Sequence, residues 1–190
     1  MWVLLDNLDS FSAILHQYLL ALHEPCLMLR KDQTSLAAIQ QLKPQRIILS
    51  PGPQSPYEAQ LCMTLIAYYH DKIPILGVCL GHQAIGVFSK ALLQHNPKPM
   101  HGKTSRLETL SHPLFEGIPE PIEVMRYHSL CISLAPGQQT LKALAYAQDD
   151  KVLMAFEHQK YPMLGLQFHP ESIGTPWGFK LLENWANMKF

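Results

Sequence analysis

Through its first half the chain alternates short apolar runs with amphipathic stretches, the pattern that builds a parallel sheet covered by helices on both faces. Trp2 to Leu5 reads as the first strand. Ser10 is placed to cap a helix in which Phe11, Ile14, Leu15, Tyr18, Leu19 and Leu22 recur at helical spacing. Cys26 to Leu29 follows as a second strand, Thr34 to Leu42 as a short helix ended before Pro44, and Arg46 to Leu49 as a β-branched third strand. That strand ends in the turn Ser50-Pro51-Gly52-Pro53. A helix from about Pro56 to Tyr69 leads to a fourth strand, Ile73 to Leu76, after which Gly77-Val78-Cys79-Leu80-Gly81 opens another helix. Beyond about residue 90 the runs shorten and prolines punctuate them. They predict antiparallel strands near 122–125, 140–146, 152–157 and 163–168, and a last helix from about 176 to 187. The stretch Leu92 to Pro99, with its two prolines, is assigned to no element.

At 190 residues the chain fits one α/β domain, 1–190, able to bury a core without disulfides or metals. Its 15 basic and 15 acidic residues leave no field of one sign to draw in nucleic acid or an anionic membrane. The expected partner is a small molecule or another protein. The four cysteines, Cys26, Cys62, Cys79 and Cys131, lack CxxC spacing, which speaks against a zinc site or disulfide scaffold and suits a reducing cytoplasm. No run approaches the roughly 18 apolar residues of a membrane span.

Gly77-x-Cys79-x-Gly81 sits between a buried-looking strand and a helix, the context that presents a nucleophile above a sheet. Glycine at both flanks removes Cβ atoms where such a turn forces backbone together. A free thiol is mostly protonated at neutral pH, and a helix N-terminus together with a nearby imidazolium favours its thiolate. The other three cysteines read as inert core thiols. The second partner is found in Phe168-His169-Pro170-Glu171-Ser172. His169 and Glu171 are two apart, which in extended backbone puts both side chains on one side, and Pro170 stiffens the segment. The carboxylate would then fix the imidazole's tautomer so that His169 takes the thiol proton and later delivers it to a leaving amine. On its own, His-x-Glu at a strand end is more often a surface feature than a dyad, and no second pair with ligand spacing supports a metal. Donors for an oxyanion are offered by the Gly52 N–H, in a turn whose flanking prolines have none, and by the Leu80 N–H at the helix start.

Taken together these residues resemble the class I, triad-type glutamine amidotransferases. The resemblance runs from end to end: Asp6-Asn7-Leu8-Asp9-Ser10-Phe11, Leu49-Ser50-Pro51-Gly52-Pro53, Gly77-Val78-Cys79-Leu80-Gly81-His82-Gln83, Arg126-Tyr127-His128-Ser129-Leu130 and Gln167-Phe168-His169-Pro170-Glu171-Ser172-Ile173. Within the family, the Asp-Asn opening, Met100-His101-Gly102-Lys103-Thr104-Ser105 and the Arg-Tyr-His-Ser-Leu run look most like the small subunits of chorismate-using synthases. The resemblance implies a mixed, mostly parallel, flavodoxin-like sheet of seven or so strands flanked by helices. It implies Cys79, His169 and Glu171 as the triad and Gly52 and Leu80 as the oxyanion hole. Gly52, Gln83, Ser129 and Leu130 would bind L-glutamine, with no cofactor on this chain. Ammonia released from a γ-glutamyl thioester on Cys79 would pass to a chorismate-binding synthase large subunit, component I. The 4-aminobenzoate and folate branch is favoured, with the tryptophan branch or service to both left open.

Three places depart from the family's pattern. Leu8 stands where tyrosine is usual, Gln54 where glycine or cysteine commonly follows the Pro-Gly-Pro turn, and Phe88-Ser89-Lys90-Ala91 lacks a usual Gly-Gly pair. The rival readings are the amidotransferase subunit of another pathway, a non-catalytic interaction subunit of the same fold, and a cysteine peptidase or stress-response hydrolase. His82 and His128 read as structural neighbours of the site rather than as its base.

Overall fold

In the computed structural model, which describes residues 1–96 and 98–190, the alternation of the first half becomes β1 (Trp2–Asp6), α1 (Ser12–Ala21), β2 (Cys26–Arg30), α2 (Leu36–Gln41), β3 (Arg46–Leu49), α3 (Gln60–Tyr69), β4 (Ile75–Val78) and α4 (Leu80–Phe88). The second half supplies β5 (Leu92–Thr109), β6 (Glu123–Ser133), β7 (Leu141–Ala147), β8 (Leu153–His158), β9 (Met163–Leu166) and α5 (Gly178–Asn187). Among the described residues these strands form one nine-stranded mixed sheet in the order β2-β1-β3-β4-β9-β8-β7-β5-β6. The first five in that order are mutually parallel and the rest antiparallel. No helix among the described residues is long and apolar enough to cross a membrane.

The period-two pleat divides the core. Trp2 and Leu4 of β1 and Ile48 of β3 face one side, where they meet Leu15 and Leu19 of α1 and Leu181, Leu182 and Trp185 of α5. Val3, Leu5, Ile47 and Leu49 face the other, against Ile39 of α2, Leu65 and Ile66 of α3 and Leu80 and Ile85 of α4. Burial on both faces explains why these strands read as unbroken apolar runs. Each such Leu or Ile contributes about 1.5–3 kcal/mol on leaving water. Because the parallel strands share one direction, β1, β3, β4 and β9 all deliver their next residues to the same carboxyl edge of the sheet.

Several sequence expectations are corrected. Ser10 does not cap α1. Phe11 precedes the helix without a side-chain cap, and it is Asp9 that ties the turn, its Oδ1 accepting from Phe11 N at 2.8 Å and its carbonyl from Ser12 N at 3.2 Å. The run near 163–168 is antiparallel to β8 but parallel to β4, so β9 closes the parallel half. The unassigned stretch from Leu92 opens the longest strand of the fold. Its ladder with β6 breaks register between His95 and Met100, where Pro99 removes a backbone donor; Pro97 lies outside the described residues. All three departures from the family's pattern include a positive-φ residue, Leu8 (67°), Gln54 (70°) and Lys90 (67°), where a side chain costs what glycine would not.

Candidate active site

Cys79 occupies the turn between β4 and α4 with φ 51° and ψ −99°, outside the regions open to ordinary residues. That strain is held by close packing on either side. A Cβ on Gly77 would lie 2.3 Å from the Gly81 carbonyl carbon, and one on Gly81 would lie 2.5 Å from Leu49 O. The glycines therefore serve the close approach, and the unusual dihedrals fall on the cysteine itself. Cys79 N donates to Leu166 O at 2.7 Å, which carries the β4–β9 ladder one residue beyond the strands. The cysteine is 6% exposed, at the wall of a cleft of about 500 Å³.

His169 follows β9. Its N–H donates to Met125 O at 2.9 Å, and its carbonyl accepts from Thr175 Oγ1 at 2.7 Å. The ring is packed edge-on by Phe11 and Tyr127, with centroids 5.4 and 5.1 Å away. His169 Nδ1 lies 2.6 Å from Glu171 Oε1, with both side chains buried. The pair meets through a turn, closed by Ser172 N donating to His169 O at 3.3 Å, and not through the alternation of an extended strand. His169 Nε2 is buried without a hydrogen bond of ordinary geometry, yet the Cys79 sulfur is near enough to act on the ring. Burial pulls the imidazole's pKa down, but hydrogen bonding and attraction from Cys79 and then Glu171 outweigh it and hold it up at about 10. The Cys79 sulfur and the Glu171 carboxylate thus both act to favour the imidazolium form of His169.

The turn after β3 is fixed by a buried polar network. Asn7 N donates to Ser50 Oγ at 2.9 Å and Asn7 Nδ2 to Ser50 O at 2.9 Å, while Cys62 Sγ donates to Asn7 Oδ1 at 3.1 Å. Burial pushes the Cys62 thiol up to about 12, which keeps it protonated for that role. Gly52 lies so close to Asn7 and Leu80 that a Cβ would come within 2.6 Å of the Asn7 Cβ and 2.7 Å of Leu80 Cδ2. Gly52 and Leu80, the residues expected to supply the oxyanion donors, are accordingly neighbours in the cleft wall, and among the described residues neither amide has an acceptor in the protein.

The far wall is the β6 segment. Gln83 Nε2 donates to Leu130 O at 2.9 Å and to Gln167 Oε1 at 3.1 Å. Ser129 is exposed in the cleft, its Oγ 3.2 Å from His101 Nε2. Beneath it, fully buried Arg126 donates from Nη2 to Asp150 Oδ2 at 2.7 Å, from Nη1 to Ser105 Oγ at 2.8 Å and from Nε to His128 Nε2 at 3.0 Å. His128 Nδ1 faces Leu130 O at 2.9 Å, so the ring must donate there and accept from arginine, which fixes the neutral tautomer. Burial, with the Arg126 charge behind it, lowers its pKa to about 4. Neither His128 nor His82, lowered to about 3 chiefly by burial, is poised as a base. Gln167, Asn7, Phe11 and Arg126 lie within the sequence runs that mark the site, but their roles depend on pairings distant in the chain and carry no local signal.

Residues 3–188 match the family model for glutamine amidotransferase class-I. The chain is 38% identical over 190 residues to aminodeoxychorismate synthase component 2 of Serratia marcescens, covering 98% of this chain and 100% of that protein. It is 41% identical over 188 residues to anthranilate synthase component 2 of Porphyra purpurea, covering 98% and 99%. Among solved structures, a glutamine amidotransferase from Thermotoga maritima aligns with TM-score 0.72 at 16% identity, over 97% of this chain and 80% of that one, a likeness of fold.

Proposed function

Because the chain belongs to the class-I glutamine amidotransferases, we propose that it hydrolyses L-glutamine through Cys79, His169 and Glu171 and supplies the ammonia to a chorismate-using synthase large subunit. The observation that carries this reading is the buried 2.6 Å contact of His169 Nδ1 with Glu171 beside a cysteine held at a strained turn in a cleft.

His169 Nε2 holds the proton taken from Cys79, and the sulfur attacks the side-chain amide carbon of glutamine. The carbonyl oxygen becomes an oxyanion that accepts from the Gly52 and Leu80 N–H groups, each such donor worth a few kcal/mol in the transition state. Collapse breaks the C–N bond as His169 protonates the nitrogen. Ammonia leaves, and a γ-glutamyl thioester remains. Water, deprotonated by His169, then attacks the thioester, releasing glutamate and restoring the cysteine. Gln83 Oε1, whose Nε2 is committed elsewhere, faces the substrate amide. Ser129 and Leu130 hold the amino-acid end through backbone groups. These steps use side chains, backbone and water, with no cofactor on this chain. A cytoplasmic setting is supported by four free thiols.

Relatives named for both chorismate-using synthases resemble the chain to a similar degree, 38% and 41%, so the assay pairs it with each. Glutamine hydrolysis by wild type and Cys79→Ala is measured with an anthranilate synthase or an aminodeoxychorismate synthase large subunit plus chorismate. Cys79-dependent hydrolysis enhanced by one partner is expected and names the branch. Hydrolysis absent with both would overturn the reading.

A further inference from the structure

The parallel register of β4 and β9 pairs Val78 with Leu166, so the next residues of the two strands, Cys79 and Gln167, leave the sheet side by side. Gln167 is fully buried, and its Nε2 lies 3.7 Å from Cys79 Sγ. The orientation of that amide is dictated by its neighbours. Leu130 O can only accept, so it fixes the NH₂ end of Gln83 at 2.9 Å. The same nitrogen lies 3.1 Å from Gln167 Oε1, which turns the oxygen of Gln167 toward Gln83 and leaves its NH₂ facing the sulfur. A buried amide is costly to leave without a strong acceptor, and a thiolate accepts far better than a thiol.

We infer that the Gln167 carboxamide is the donor that holds the Cys79 sulfur as a thiolate, with Gln83 as the positioning residue that sets its orientation. This rests on the reading of Cys79 as the glutaminase nucleophile. The donor acts in both halves of the reaction. Before acylation it favours the ionised sulfur while the proton resides on His169 Nε2. During deacylation it stabilises the thiolate that departs as the C–S bond breaks. Gln83 thereby has two roles, one toward substrate and one toward the sulfur, and both depend on the Leu130 carbonyl that anchors it.

The test is the pH dependence of chloroacetamide alkylation, followed by mass spectrometry at the Cys79 peptide and resolved from those of Cys26, Cys62 and Cys131, in full-length wild type, Gln167→Met and Gln167→Glu. A hydrogen bond to a charged group is lost in the methionine variant, so alkylation at neutral pH should slow about tenfold and its midpoint rise by about one pH unit. The glutamate variant keeps the oxygen facing Gln83 and retains the side-chain length that packing needs. It sets a carboxylate against the sulfur, so its midpoint should rise further. Where the methionine variant does not unfold cooperatively, the glutamate variant decides. Folded variants with the wild-type alkylation profile overturn the inference, because a merely structural glutamine would change stability and leave that profile in place. Wild-type hydrolysis of glutamine read in parallel separates the two claims. Hydrolysis with unmoved alkylation sinks this inference alone, whereas a raised midpoint without hydrolysis by any pairing supports it and sinks the glutaminase reading.

Discussion

Acidification should destabilise this protein well before its carboxylates titrate. His82 is fully buried against Phe156, with neither ring nitrogen in a hydrogen bond of ordinary geometry, and burial lowers its pKa to about 3. His128 is lowered to about 4 by burial and by Arg126. In the unfolded chain both titrate near 6.5. Below pH 6.5 the unfolded state therefore binds protons that the native state refuses, and stability falls by about 1.4 kcal/mol per pH unit for each histidine. Between pH 6.5 and 4.5 that amounts to about 2–3 kcal/mol apiece, a large share of a typical total of roughly 5–15 kcal/mol. His169 has the opposite sign. Its raised pKa contributes stability that is fully present below 6.5 and is lost as pH rises through about 10, so it leaves the acid limb untouched. Urea midpoints from tryptophan fluorescence at pH 6.5, 5.5 and 4.5 should fall steadily in wild type and flatten in a His82→Phe, His128→Gln double variant. A wild-type midpoint that holds constant across that range, or a double variant with the wild-type slope, would refute the argument.

Gly81→Ala places a Cβ 2.5 Å from Leu49 O, against backbone that cannot step aside, so it should cost about 1–3 kcal/mol in thermal unfolding and abolish glutamine hydrolysis; a variant with wild-type Tm and rate would contradict the packing account of the turn. Lys90 occupies the left-handed position of a helix-ending motif in which Ala91 N donates to Gly86 O at 2.9 Å and Lys90 N to Val87 O at 3.0 Å. Lys90→Gly should accordingly raise stability by about 1 kcal/mol in urea melts, and a loss would show that the exposed lysine is held by something else. Glu171→Gln keeps the shape of the 2.6 Å contact but removes its charge, so kcat should fall about tenfold to a hundredfold with KM little changed; an unaltered kcat would remove Glu171 from the mechanism.

Strands β1, β3 and β4 were legible because each is buried on both faces, and the half-buried edge strand β2 because Cys26 to Leu29 is apolar, so runs bounded by turn residues marked all four within a residue or two. β5 was not legible. Its sequence from His95 to Lys103 is polar and proline-broken, and along that stretch the ladder with β6 makes it a strand, its pairing with β7 beginning only at Leu107. Around the site, the glycines flanking Cys79 gave the turn away because their necessity is local, whereas the meeting of His169 with Glu171 was expected for a reason that does not hold, a turn doing what extended backbone was supposed to do. Contacts set by sheet register or by helix packing stayed hidden. Gln167 reaches Cys79 across 88 residues and Cys62 reaches Asn7 across 55, and no local pattern encodes either.

Nucleophilic catalysis by Cys79 requires a covalent glutamyl intermediate on its sulfur. Wild type mixed with a synthase large subunit, chorismate and L-glutamine is acid-quenched within a turnover and its peptides are analysed by mass spectrometry. A glutamyl adduct on the Cys79 peptide, removed by hydroxylamine and absent from Cys79→Ser, is the predicted result; glutamate formed at an undiminished rate with no adduct on that peptide, or an equal rate from Cys79→Ala, would contradict it.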